Sequence, residues 1–173
     1  MSVENVMTLE KKKGFTLIEL MIVLAIIAIL AVVLIPKSQI FKNNSKNAGV
    51  TTNVNTVRGY LETKVTNNGG ADSYLNAATL KTAIASNFSL DSSTFVPTGS
   101  SSSEQLVNPF DKTKASVAVA DKSSGATNNT VDTVETSASD GADGEVVIYV
   151  CKDGYVVFGV DKGGDLTQTF KVK

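Results

Sequence analysis

Hydrophobic and polar positions divide the chain into stretches of different period. Leu20–Ile35 reads LMIVLAIIAILAVVLI, sixteen residues without a polar side chain, and Phe15–Ile18 (FTLI) extends it upstream across a single carboxylate, Glu19. Phe15 to Ile35 is 21 residues, about 30 Å as a helix and a match to the hydrocarbon thickness of a bilayer. A lone segment in lipid satisfies its own backbone only as a helix, so this stretch predicts a membrane-spanning helix. The competing reading is a buried helix of a soluble core. Past Pro36 the apolar residues withdraw to one side. Val50, Val54, Val57, Leu61 and Val65 recur at spacings of four, three, four and four, the stripe of an amphipathic helix. Asn67-Asn68-Gly69-Gly70 then supplies residues that tolerate left-handed backbone and end helices. The pattern predicts one long helix from Thr16 to Thr66. Pro36 kinks it by removing a backbone donor, and poor local propensity weakens it over Asn43–Asn55.

Shorter elements follow. Ser73–Ser86 predicts a second helix with Leu75, Leu80 and Ile84 toward the core. Pro97–Ser103 and Lys122–Gly144, rich in Ser, Thr, Asn, Asp, Gly and Ala, predict surface loops that bury little. Between them Ala115–Ala120 (ASVAVA) predicts a short strand. Glu145–Cys151 (EVVIYVC) and Tyr155–Val160 (YVVFGV) are β-branched and aromatic, with Asp153-Gly154 as the expected two-residue turn. Asp161-Lys162-Gly163-Gly164 turns into a third run, Leu166–Val172. The expected fold class is α+β: a long N-terminal helix, transmembrane in its first half and amphipathic in its second, packed on a C-terminal antiparallel sheet of three to four strands.

Charge orients the span. Lys11, Lys12 and Lys13 crowd its entrance, and Lys37 and Lys42 follow its exit at lower density. The positive-inside rule keeps Met1–Gly14 in the cytoplasm and sends the rest across. The apolar run ends in Ile35-Pro36-Lys37, unlike the small-residue site at which a secretory signal is cut.

Composition narrows the function. The 173 residues carry 16 Lys+Arg against 17 Asp+Glu, a formal net charge of -1, which gives no broad basic surface for nucleic acid; Lys112, Lys114 and Lys122 are scattered. With no His and one Cys, imidazole catalysis, His metal ligation, an internal disulfide and a cysteine zinc cluster are excluded. No phosphate loop, dinucleotide fingerprint or nucleophile elbow is present. No catalytic, cofactor-binding or metal residue is therefore assigned. Asp140, Asp143 and Glu145 in DGADGE suggest calcium, but their spacing fits no EF-hand and a solvated acidic loop is the preferred reading. Cys151 reads as a small core residue. Asp161 and Asp165 read as turn chemistry.

The string Gly14-Phe15-Thr16-Leu17-Ile18-Glu19, with its basic leader, long apolar run and Pro36, resembles the prepilin-peptidase site of type IV pilins and pseudopilins. The resemblance covers about Lys11 to Pro36. It implies cleavage between Gly14 and Phe15, N-methylation of Phe15, and a role for Glu19 in setting the assembly register against a neighbour's new amine. Pairing of Glu19 with its own Phe15, one helical turn away, stays open. Two features depart from the pattern: the leader of fourteen residues is long, and Ala28 stands where many relatives carry Gly. The implied organisation is a removed leader (1–14), a transmembrane and filament-core helix (15–36) and an extracytoplasmic head (37–173). The implied function is the structural subunit of a type IV pilus for adhesion, motility or surface contact, the alternative being a pseudopilin of a secretion or DNA-uptake machine. Expected partners are identical or related subunits, prepilin peptidase, an assembly ATPase and a membrane platform, with no specific nucleic acid. The expected location is the cytoplasmic membrane as a single-pass precursor, then a surface filament. Cys151 being alone suggests the disulfide-free pilins of Gram-positive bacteria.

Overall fold

The structure, a computed structural model, describes residues 14–68, 71–99, 105–124 and 129–173, with the side chains of residues 35–37 and 68 left aside. The expected basic leader residues Lys11, Lys12 and Lys13, the Gly69-Gly70 stop, and Ser100–Ser103 of the first loop lie outside the described residues. Helix α1 spans Leu17–Glu62. The chain forms two compact units, Met1–Phe41 and Lys42–Lys173, treated separately below.

In the N-terminal unit the apolar window Leu17–Leu34 has a mean hydropathy of 3.2, and none of it is buried. Every large aliphatic from Leu17 to Leu34 is at least half exposed. A soluble-core helix would hide these side chains within its own chain, so that reading is set aside, and the segment is long and apolar enough to span a membrane.

The second unit begins with the rest of α1. Its residues 43–56 are mostly Asn, Ser, Thr and Gly, each costing roughly 0.5 kcal/mol or more against alanine in a helix. Val50, Val54, Val57 and Leu61 are fully buried on one face, and at about 1.5–3 kcal/mol apiece their burial outweighs that cost. Thr51, Thr52 and Thr56 satisfy their hydroxyls by donating to the carbonyls of Asn47, Ala48 and Thr52. The helix stops at Glu62 rather than Thr66, because the N–H groups of Thr63 and Lys64 bond three residues back, to Tyr60 and Leu61. Thr66–Asn68 is instead β1, paired antiparallel with β2, Ala71–Ser73. The expected second helix also starts later. Helix α2 spans Ala77–Asn87, opened by the Asn76 side chain accepting from the Thr79 N–H, with Leu80 and Ile84 buried and Leu75 packed against the core from just before it.

The main sheet has four strands in the order β3-β4-β5-β6: Val117–Asp121, Val146–Cys151, Gly154–Gly159 and Phe170–Val172. The last three form the expected antiparallel meander. The expectation of a wholly antiparallel sheet is corrected at β3, which runs parallel to β4 in the register Val117↔Val146 to Asp121↔Val150, making the sheet mixed. Parallel neighbours need a crossover of a dozen or more residues, and Lys122–Glu145 provides it. The turn is also shifted: Cys151 pairs with Gly154, so Lys152-Asp153 is the loop and Gly154 belongs to β5. Gly154 sits at φ +148, and a Cβ there would strike the Val172 carbonyl of β6.

Both faces of the sheet are covered. Val146, Ile148, Val150, Tyr155 and Val157 face α1 and α2. Val147, Tyr149, Cys151, Val156, Phe158 and Val160 form a second core, capped by Val131 with Val134 and Ala138. The stretch expected to bury little therefore closes the outer face as a strap. Gly159 marks the tightest approach of helix and sheet, since a Cβ there would lie 2.5 Å from Val50 Cγ1 and 2.9 Å from Val54 Cγ2.

Candidate assembly site at the N-terminal helix

The residues singled out by the sequence lie at the start of α1. Gly14 is exposed, and among the described residues a Cβ added there would meet nothing within 4 Å. Phe15 is 95% exposed. Thr16 and Glu19 then close a reciprocal pair. Glu19 Oε2 accepts from the Thr16 backbone N–H at 2.8 Å and from its hydroxyl at 2.7 Å. The Glu19 N–H in turn donates to Thr16 Oγ1 at 3.2 Å. This is a capping box: it satisfies backbone donors that a helix start leaves orphaned. It places the carboxylate at the helix N-terminus, where the aligned peptide dipoles favour negative charge. Among the described residues Glu19 Oε1 has no partner, so one acceptor oxygen is left for another group.

The capping box was missed by sequence reasoning, although Thr16-Leu17-Ile18-Glu19 before an apolar run is its signature. Pro36 lies within α1, and its side chain and the kink expected of it fall outside what is described. Ala25, Ala28 and Ala31 are exposed small positions on the same apolar segment.

The remaining candidates resolve into structural roles. Asp140 accepts from the Tyr149 hydroxyl in a short hydrogen bond and pairs with Lys122 at 3.2 Å. Asp143 pairs with Lys162 at 2.7 Å. Glu145 accepts from the Ala142 N–H at 2.9 Å. The three carboxylates expected as a solvated acidic loop thus engage separate partners, and among the described residues no cluster of three or more His, Cys, Asp or Glu is placed to hold a metal ion. The Tyr149 bond holds the Asp140 carboxyl below its usual range, while burial, reinforced by Asp140, pushes the tyrosine up to about 12. Cys151 is buried in the second core, and desolvation pushes its thiol up to about 11, so it is a protonated, unreactive group at neutral pH. Asp161 closes its Gly-rich turn through the Asp165 N–H at 3.0 Å. It also accepts from Asn47 Nδ2 at 3.1 Å, fastening the turn to α1.

No solved structure matches the chain. Residues 10–35 match the family model of the prokaryotic N-terminal methylation motif, a structural signature rather than that of an enzyme family, and this supports a type IV pilin-like prepilin, pilin or pseudopilin, anchored in the membrane as a precursor.

Proposed function

We propose that the chain is a structural subunit of a type IV pilus, of the disulfide-free kind, organised as a removed leader (1–14), a membrane and filament-core helix (15–36) and a head (37–173). The observation that carries this reading is the wholly exposed apolar window Leu17–Leu34, which lies within the stretch matched by the methylation motif, residues 10–35. Subunits wait in the membrane on this helix. Prepilin peptidase cuts between Gly14 and Phe15, and Phe15 becomes the methylated terminus, an amine that is cationic near neutral pH. Leaving lipid is tolerable because neighbouring helices replace the acyl chains, with Ala25, Ala28 and Ala31 allowing close approach. Head-to-tail contacts that do not close a ring then extend as a helical filament.

In this scheme Glu19 Oε1 receives the amine of an adjoining subunit, an unpaired carboxylate in hydrocarbon being costly, while Oε2 stays with Thr16. An assembly ATPase and a membrane platform drive the process. The Ser-, Thr- and Asn-rich loops of the head form the outer surface, and this favours an exposed pilus over a pseudopilin of a secretion or DNA-uptake machine. Mass spectrometry of the mature N-terminus is the test: methylated Phe15 is expected, and an intact Met1 or a terminus beyond Ile35 overturns the proposal. Electron microscopy of sheared surface material, labelled with antibody to the head, then separates long filaments from a short pseudopilus.

A further inference from the structure

The head carries a groove of about 660 Å³ between the end of α1, the end of α2 and the Gln105-Leu106 segment, within the range of small-molecule sites. Its floor is opened by Gly59. Glycine weakens a helix, and at other positions the fold explains it: Gly49 lies against Pro109, Gly159 against Val50 and Val54. A Cβ at Gly59 would meet nothing within 4 Å, so internal packing does not require the missing side chain. Thr56 and Thr63 keep the same wall low.

The lining is polar and oriented. Asn53 Nδ2 is tied to the Val107 carbonyl at 2.9 Å and Gln105 Nε2 to the Ser89 carbonyl at 3.3 Å, which leaves each amide oxygen as an acceptor. Tyr60 spends its hydroxyl on the Ala83 carbonyl, and its ring packs edge-on against Phe88 at 5.3 Å between centroids. Lys64 lies 4.8 Å from that ring's centroid, and among the described residues no carboxylate pairs with it.

We propose that this groove binds an oligosaccharide bearing carboxylate groups. Amide and hydroxyl acceptors at fixed positions suit a polyol, and the Lys64 ammonium, joined to no carboxylate among the described residues, suits an acid. A peptide is disfavoured, because the walls are helix and loop and present neither a strand edge nor apolar side-chain slots. The site is independent of the filament reading, and is tested on the full chain in detergent micelles by calorimetric titration with oligomers of two to six hexuronic acids and with neutral hexose oligomers. Binding of the acidic oligomers that weakens as salt is raised is expected. Gly59→Gln, which fills the floor while improving helix propensity, should weaken it at least tenfold. Lys64→Gln should remove most of the preference for acidic over neutral oligomers. Absence of millimolar binding by the wild-type chain, or equal binding by Gly59→Gln, overturns the proposal. So does a Gly59→Gln chain that binds normally but assembles poorly, since the groove would then be a contact between copies.

Discussion

Glu19 holds two positions at once in the reading above, as the acid that starts its own helix and as the acceptor for a neighbour. Substitution can separate them. Glu19→Gln keeps a side-chain oxygen for the Thr16 N–H and hence the helix start, but removes the charge; Glu19→Ala removes both. If the charge sets the register, both variants insert and are processed normally, and both lose at least tenfold in sheared filament yield. Normal filaments from Glu19→Gln would assign the residue to capping alone. Gly159 is the second position where one atom decides. Its Cβ would press on Val50 and Val54, so Gly159→Ala should destabilise the head by about 1–3 kcal/mol through overpacking, read as a lower denaturant midpoint at unchanged slope. The sequence singles out Glu19 but not Gly159, whose reason is a helix more than a hundred residues away in sequence.

At the level of elements, the legible parts were those fixed by period. The Val50–Leu61 stripe, Leu80 and Ile84, and the runs now seen as β4 and β5 were plain, because burial imposes spacing. What escaped were partners. The stretches EVVIYVC and YVVFGV are apolar at nearly every position rather than at alternate ones, which signals a sheet covered on both sides. The cover is the strap around Val131 and Ala138, whose polar composition gives no hint of its place. Its anchors are checkable. Tyr149→Phe keeps the ring against Phe158 but deletes the hydroxyl that serves Ser137 N–H and Asp140, and should cost about 1–3 kcal/mol, with faster amide exchange confined first to residues 137–141. The parallel direction of β3 was likewise hidden, since a strand's sequence does not state its direction; the length of the Lys122–Glu145 connection was the available clue.

For the head as a whole, three aspartates share one device. Asp91, Asp111 and Asp121 each accept from a Ser or Thr two residues on, at both its N–H and its hydroxyl, and those bonds hold all three carboxyls below their usual value. A group depressed in the folded state contributes stability above its unfolded pKa and loses it as pH falls through the folded one. Stability should therefore be flat across neutral pH and decline once the pH drops below about 4, followed by circular dichroism during acid titration. A decline that begins above pH 6 would contradict this assignment.

Cys151, sealed in the outer core as a protonated thiol, also bears on how the head matures. With one cysteine in the whole sequence, the fold draws on no internal disulfide and needs neither an oxidant nor a disulfide isomerase to form. Reductants and anoxic surroundings should leave its melting temperature untouched, and iodoacetamide should label the thiol only when the head is unfolded.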